Sequence, residues 1–252
     1  MSPDTAVEPL LEPYANGTPY EELAAEFREY RRWTGDDPPL LLAEAAASTT
    51  GQGFVDGIAP TVARFHESFV ASDRVDSFGD LAALDPEDDE LVAAFGAQRK
   101  RHVLCEAACV LAERPEADDL DALLEWASRA DHYRYEADPI GSIAGVGPST
   151  FQYLRQLAGV ETIRPAPPVV ALIDRIDAEL ESSPLETTTA LRTIASGEWL
   201  AMTSSYSPLE IDRLAWWTGT DEDDREAVAG VHARSIDAVT ARSPNSGGYS
   251  SH

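Results

Sequence analysis

Apolar residues recur at three- and four-residue spacing along almost the whole chain, and no long stretch alternates apolar with polar residues as a strand does. The clearest stripe follows two prolines at 167 and 168 and lies on one face of a helix. Its members are Val169, Ile173, Ile176 and Leu180. The pattern predicts an all-α fold without strands or long-period repeats.

Helix boundaries are marked by proline, by short polar caps and by glycine. The strings Thr18-Pro19-Tyr20-Glu21 and Ser207-Pro208-Leu209-Glu210 predict capping boxes, because a hydroxyl stands three residues before a glutamate. Gly159 is typical of a helix end. Further helix starts are predicted at Asp37-Pro38, Asp85-Pro86, Asp118 or Asp119, Asp138-Pro139, Pro148 and Pro167.

The chain divides into three parts by composition. Residues 1–17 are polar and proline-bearing, so we expect a loose lead-in. Residues 18–241 carry the helical patterns and form one helical domain, which at this length can consist of two interlocked lobes. Residues 242–252 are rich in serine and glycine and are expected to be a disordered tail.

Charge changes the picture of the surface. The 252 residues include 45 acidic and 19 basic side chains, for a formal net charge of −26, and Lys100 is the only lysine. Such an acidic, lysine-poor surface is typical of proteins from a salt-loaded cytoplasm. In molar salt the Debye length falls to roughly 3 Å, so the net charge does not exclude DNA as a partner.

Cysteine usage indicates neither a disulfide framework nor a metal cluster. Cys105 and Cys109 are four residues apart in a helical pattern, and no further cysteine exists to complete a ligand set. We therefore expect both to be small buried side chains. Nothing in the sequence resembles a signal peptide or a membrane span, which predicts a cytoplasmic protein without a membrane partner.

The segment Ile143–Arg155 contains two glycines, Gly145 and Gly147, just before a proline that fits the first position of a helix. The glycines allow a tight reversal, and the amides of the new helix would point outward. Such a helix start is a ready site for an anion such as a nucleic-acid phosphate. An ordinary corner between two helices explains the same residues, so the segment alone leaves both readings open.

Four motifs in the same order resemble the helix-hairpin-helix–GPD superfamily of DNA glycosylases, which includes endonuclease III. They span roughly residues 38–219 with plausible spacing. The motifs are the basic helix start Gln98-Arg99-Lys100, the hairpin Ala144-Gly145-Val146-Gly147-Pro148-Ser149-Thr150, the segment Ile163-Arg164-Pro165, and the helix Leu209-Glu210-Ile211-Asp212-Arg213-Leu214-Ala215-Trp216.

The resemblance implies a two-lobed helical domain that binds DNA in a cleft between the lobes. In active relatives the hairpin amides hold a phosphate, often with a monovalent cation, and a nucleotide is flipped into the cleft. No iron–sulfur cluster is expected here, because the four-cysteine motif of endonuclease III is absent. The residues implied to contact DNA phosphate are Gly145, Val146, Gly147, Ser149, Thr150, Arg155, Arg164, Arg99 and Lys100.

The catalytic positions implied by the resemblance carry other residues. Ala166 stands where the family has its aspartate, and alanine can neither stabilise a cationic sugar nor activate water. Ser149 stands near the position of the lysine that forms a Schiff base in bifunctional relatives, and serine cannot form an imine. The histidine that often follows the aspartate is replaced by Pro168.

Three hypotheses follow from this pattern. The first is a DNA-binding protein of base-excision repair that has lost its chemistry, that is, a pseudoenzyme. The second is a working glycosylase with a relocated acid, for which Asp212 is the first candidate. Independently of this hypothesis, Trp216 and Trp217 fit either stacking on a base or packing in the core. The third is a helical interaction module with a protein partner and no DNA.

Overall fold

The computed structural model describes residues 4–182 and 184–240. Helices fill most of this part of the chain and no strand occurs in it, which confirms the all-α prediction. The first half contains α1 (Asp4–Ala15), α2 (Tyr20–Arg28), α3 (Pro38–Ala47), α4 (Ala59–Phe65), α5 (Phe78–Ala82), α6 (Asp89–Phe95), α7 (Gln98–Ala112) and α8 (Asp119–Arg129).

Short irregular turns join several of these helices. Tight 3₁₀ turns lie at Ser48–Thr50 and His132–Ala137, and wide π turns lie at Phe54–Ile58 and His66–Val70. The helices of the second half are α9 (Pro148–Leu157), α10 (Pro167–Glu179), α11 (Ala190–Met202), α12 (Pro208–Gly219), α13 (Glu222–His232) and α14 (Ile236–Thr240).

The buried apolar side chains form two separate clusters. The first core is built mainly by α2 to α9, with fully buried side chains such as Leu41, Phe65 and Phe151. The second core is built by α1, α10, α11 and α12, with Leu11, Ile173 and Ile211 at its centre. α12 also packs on α2, so the two cores are in contact through this helix.

The start of the chain is more ordered than its composition indicates. Residues 4–15 of the expected loose lead-in form α1 despite two internal prolines, because Val7 and Leu11 are fully buried in the second core. The capping box predicted at Thr18 is also wrong. The Thr18 hydroxyl donates 2.7 Å to the Tyr14 carbonyl at the end of α1, and α2 begins without a side-chain cap.

Most other helix boundaries follow the predicted signals. Asp37 caps α3, Asp118 caps α8, and Ser207 with Glu210 completes a capping box at α12. The start expected at Asp85-Pro86 lies further on, because Asp88 accepts from the amides of the first turn of α6. The segment after Asp138 forms turns in place of the expected short helix.

The two cysteines differ in exposure. Cys105 is buried, and burial raises the pKa of its thiol to about 11, as expected for a small core side chain. Cys109 is exposed, which contradicts the prediction for this residue. Both lie on neighbouring turns of α7, and Ala108 and Leu111 beside Cys109 are buried in the first core, but the Cys109 side chain itself is not covered. The predicted tail at 242–252 lies outside the described residues.

Candidate nucleic-acid interface

A cleft of about 940 Å³ is lined by helices that build the first core and by helices that build the second. Its walls come from α2, the segment 48–58, the start of α9, the start of α10, the end of α12, and α13. Ser149, Arg164 and Ala166 all line it, so three positions singled out by the family resemblance meet at one place. We call this cavity the cleft.

The start of α9 opens into the cleft without a cap. Gly147 is the residue before the helix, has extended backbone angles and offers no side chain, and Pro148 takes the first helical position. Among the described residues, no acceptor is bonded to the amides of Gly147, Ser149 and Thr150. Unbonded amides at a helix start carry partial positive charge and favour an anion. The Val146 amide differs, because it donates 2.9 Å to the Ile143 carbonyl and is not free for a ligand.

Arg99, which also lines the cleft, supports the hairpin. Its Nε and Nη2 donate 3.2 Å and 2.8 Å to the Gly145 carbonyl. Gly145 has a φ of +108°, and a Cβ at this position would lie 3.0 Å from Arg99 Cγ and 3.1 Å from Val103 Cγ2. The positive φ and the close approach together require glycine there.

Two predicted phosphate contacts are buried and already engaged. Lys100 is 3% exposed, burial lowers its pKa, and its Nζ donates 2.6 Å to Gln52 Oε1. Arg155 is 7% exposed and donates to the Ala127 carbonyl and to Gln152 Oε1. Neither guanidinium nor ammonium group is therefore placed to meet a phosphate, and we remove both residues from the set. A basic side chain can have a structural role when a carbonyl or amide oxygen from elsewhere in the chain lies within hydrogen-bond distance. The sequence alone does not show that such an oxygen is near.

Arg164 is held firmly beside the start of α9. Its Nε donates 3.0 Å to Ser149 Oγ, and its guanidinium lies 4.2 Å from the centroid of the Tyr153 ring. Its backbone amide donates 2.7 Å to Asp212 Oδ1. The side chain thus stands next to the free amides, which makes these groups one convergent set of donors.

Ala166 precedes α10 in the position of a cap and faces the cleft. Its methyl group cannot accept from the amides of the first turn, so α10 also starts without a side-chain cap. An aspartate here would place a carboxylate beside Arg164 and the start of α9. The position expected to hold the catalytic acid therefore lies at the cleft but carries no ionisable group.

Asp212 is a buried acid with three donors and does not line the cleft. It accepts 2.8 Å from Gln156 Nε2 and 2.7 Å from the Arg164 amide, and it is ion-paired with Arg213. These contacts fix the segment before α10 and the arginine on α12. The geometry gives Asp212 a positioning role and no direct path to a ligand.

A buried polar cluster under the cleft was not anticipated. Glu44 is fully buried on α3 and pairs with Arg32 at 2.5 Å, and it also accepts from Trp33 Nε1 and from the Tyr153 hydroxyl. Burial alone would raise the pKa of Glu44, but the Arg32 guanidinium outweighs it and the pKa lies below its ordinary value. The available signal was a single glutamate inside an otherwise apolar helix of leucines and alanines.

An aromatic wall completes the cleft on the side of α12. Trp216 and Trp217 are half-buried, line the cleft and have ring centroids 6.4 Å apart. The Arg225 guanidinium lies 4.8 Å from the Trp217 ring, and the Arg213 guanidinium lies 6.0 Å from the Trp216 ring. Half-buried aromatic rings that line a cleft are suited to stacking with a base.

α13 forms the wall next to the end of α12 and is weakly packed. None of its described side chains is fully buried, although Val228 and His232 line the cleft. His232 Nδ1 lies 3.0 Å from Glu26 Oε2, and its ring meets the Phe54 ring edge-on at 5.2 Å. Burial lowers the pKa of His232, which favours the neutral imidazole. Sequence patterns did not connect this helix to the cleft.

Comparisons with protein-family models, with curated proteins and with solved structures found no match to this chain. None of the described helices combines the length and apolar character needed to cross a bilayer. In the described part of the chain, no three His, Cys, Asp or Glu side chains are grouped to hold a metal ion.

Proposed function

We propose that this chain is a DNA-binding protein of the helix-hairpin-helix–GPD superfamily that has lost glycosylase chemistry. Two lobes would contact the duplex, and the amides at the start of α9 would bind one backbone phosphate. The observation that carries the proposal is the uncapped start of α9, whose three free amides border the cleft that also contains Ala166.

The donors around this start support phosphate as the ligand. Arg164 stands beside Ser149, and the exposed Arg99 also lines the cleft. Backbone amides at a helix start together with arginine forks are common contacts to DNA phosphates. The revised contact set is therefore Gly147, Ser149, Thr150, Arg164 and Arg99.

The absence of an acid at position 166 supports the loss of chemistry. Glycosylase chemistry needs a carboxylate near the sugar to stabilise developing positive charge. Among the described residues, the carboxylates that line the cleft are Glu26, Asp56 and Asp224, on α2, the 54–58 turn and α13, and none of them lies at position 166. Asp212 is engaged by three donors beneath the surface. The protein would recognise a distorted or damaged duplex without cutting it.

The test is binding of fluorescent duplex DNA, with and without an abasic-site analogue, over a series of potassium chloride concentrations. Gly147→Glu places a carboxylate at the free amides, and a Cβ at this glycine has no neighbour within 4 Å, so the fold should persist. We expect the Gly147→Glu variant to bind at least about tenfold more weakly, a loss of about 1.4 kcal/mol. Gly147→Ala is the matched control and should bind like the wild type.

Two results would contradict the proposal. Equal affinity of wild type and Gly147→Glu, with unchanged thermal unfolding, would exclude the start of α9 as the docking site. Excision of a damaged base by the wild type would show that the chemistry survives. In that case Asp212→Asn would determine whether the buried acid takes part.

A further inference from the structure

Arg164 has donors that none of the described residues uses. Its Nε is bonded to Ser149 Oγ, but its two terminal nitrogens have no hydrogen-bond acceptor among the described residues. No carboxylate forms an ion pair with it in that part of the chain, although the chain carries a large excess of acid. A guanidinium in a cleft without an acceptor is a strong donor pair for a planar or tetrahedral anion.

Two further arginines beside the cleft also have unused donors. The guanidinium groups of Arg32 and Arg213 lie 4.4 Å and 4.8 Å from the centroid of the Phe27 ring. Arg213 Nε and the Nε and Nη1 of Arg32 are buried and have no hydrogen-bond partner in the described ranges, and the Arg32 side chain is only 4% exposed. Both residues line the cleft. Buried donors without partners are uncommon in folded proteins, and a bound ligand is one physical reason for them.

The electrostatics of Arg164 point in the same direction. Burial lowers its pKa, and the neighbouring charge of Arg213 lowers it further, while Tyr153 and Asp212 act against this. Two guanidinium groups that repel each other are stabilised when an anion lies between them. Glu26, the cleft acid on α2, contacts His232 and, in the part of the chain that the structure describes, forms no ion pair with Arg164 or Arg213.

We propose that the cleft binds a nucleotide with a phosphomonoester, with its phosphate on Arg164, Arg213 and the start of α9. The base would lie against Trp216 and Trp217. The source is either a free nucleotide or the phosphorylated end of a DNA strand. The inference goes beyond the proposed function and does not depend on it, since a free nucleotide meets the same groups without a duplex.

Size and charge favour a phosphomonoester over an intact backbone diester. A volume of about 940 Å³ lies within the range of pockets that enclose one small ligand and is too small for a duplex. A phosphomonoester carries close to two negative charges and three acceptor oxygens, which matches two guanidinium groups and a helix start. A diester offers a single charge and fewer free oxygens.

The first experiment follows tryptophan fluorescence during titration with a deoxynucleoside monophosphate, the same deoxynucleoside and inorganic phosphate. Trp216 and Trp217 line the cleft, so binding there should change the emission. We expect the nucleotide to bind at least about tenfold more tightly than the nucleoside. Arg164→Gln should abolish this preference, and Arg164→Lys should retain only part of it because the fork is lost. Arg175→Gln, at an exposed arginine of α10, is the matched control and should behave as the wild type.

The second experiment distinguishes the two sources with short duplexes that end in a 5′-phosphate or a 5′-hydroxyl. Tighter binding of the phosphorylated duplex, lost in Arg164→Gln, would identify a DNA end as the ligand. Tight nucleotide binding without an effect of the DNA end would identify a free nucleotide.

Equal affinity for nucleotide and nucleoside, together with equal affinity for both duplex ends, would overturn the inference. Duplex binding that depends on Gly147 would survive that result and leave the proposed function intact. Nucleotide binding without any duplex binding would support the inference and contradict the proposed function. The two proposals therefore fail separately.

Discussion

The helices α9 and α12 both begin with a proline, but the amides of the first turn are capped in α12 and uncapped in α9. At α12 the first turn is closed, because Ser207 accepts from the Glu210 amide and the Glu210 carboxylate accepts from the Ser207 amide. At α9 the corresponding amides have no acceptor, although Pro148 takes the same first position as Pro208. A proline start is compatible with either arrangement, and the residue before it decides between them.

The two helices are also held at different places. α12 is fixed at its first turn, whereas α9 is fixed along its middle by buried polar side chains. Gln152 donates to Thr162 Oγ1 at 2.6 Å, Tyr153 donates to Glu44, and Gln156 donates to Asp212 at 2.8 Å. Strong support in the middle of α9 allows its start to remain open. A helix end that is free of internal partners is the part of a helix that is available to a ligand.

Breaking the support of α9 should have the largest effect. Glu44→Gln leaves Arg32 buried without its counter-charge, and loss of one partner of a buried ion pair costs about 3 to 5 kcal/mol of the free energy of unfolding. Urea unfolding measures the loss. Glu106→Gln, on the exposed face of α7, is the matched control and should change stability by less than about 0.5 kcal/mol. Similar losses in both variants would contradict the role of the buried cluster.

The same pair predicts a pH dependence. The folded pKa of Glu44 lies below its ordinary value of 4.5, so its contribution is complete above that pH and is lost as the pH falls through the folded pKa. The stability difference between wild type and Glu44→Gln should therefore narrow in acid. Urea unfolding of both proteins over a series of acidic pH values tests this. A stability difference that widens in acid would contradict the lowered pKa of Glu44.

The two glycines of the hairpin should respond differently to the same substitution. Gly145→Ala introduces a Cβ at a φ of +108° and within 3.0 Å of Arg99, so we expect a loss of about 1 to 3 kcal/mol. Gly147→Ala meets no atom within 4 Å and has a negative φ, so no loss is expected. Thermal or urea unfolding of the two variants measures whether stability depends on glycine at position 145, beside Arg99, and not at position 147, before α9.

Serine-to-alanine substitutions at the starts of α9 and α12 should have different effects: one should lower the stability of the protein, and the other should lower its affinity for the ligand. Ser207→Ala removes the cap of α12 and should lower the free energy of unfolding by about 1 kcal/mol, without an effect on DNA or nucleotide affinity. Ser149→Ala removes the acceptor of Arg164 Nε and should weaken binding with little loss of stability. Urea unfolding and fluorescence titration of both variants measure the two effects. A loss of affinity in Ser207→Ala, or a loss of stability without a loss of affinity in Ser149→Ala, would contradict the difference between the two helix starts.

The smallest expected effect is a gain. Ala166→Asp supplies a cap for α10, but Pro168 has no amide to donate, so only the Val169 amide benefits and the gain is at most about 1 kcal/mol. Ala166→Asn is the uncharged control and should give a similar shift of the thermal midpoint. The aspartate alone should also weaken nucleotide binding, because its charge lies beside Arg164. A gain of affinity in Ala166→Asp would contradict the anion site.

Local chemistry explains which parts of the fold were predictable. The starts at Asp37, Pro148, Pro167 and Ser207 depend on caps and prolines within a few residues, and all four lie where the sequence indicated. α1 was missed because its prolines argue against a helix, while its stability comes from Val7 and Leu11 packing on residues far along the chain. Local signals do not contain that contribution.

The candidate site was predictable only in part, for the same reason. The motifs placed Ser149, Arg164 and Ala166 together, and the structure brings them to one cleft. The burial of Lys100 and Arg155 depends on Gln52 and on the Ala127 carbonyl, which are distant in sequence. The Arg32–Glu44 pair joins α3 to the residues after α2 and gives no sequence motif.

The second core is discontinuous along the chain, and this has a consequence for folding order. Its members come from α1 at one end and from α10, α11 and α12 after residue 166, whereas the first core is built mainly from one contiguous stretch. During synthesis α1 emerges before its partners, which follow about 150 residues later, and packing it against them costs the closure entropy of a long loop. We expect the contiguous core to form first, and α1 to be the last helix to find its place.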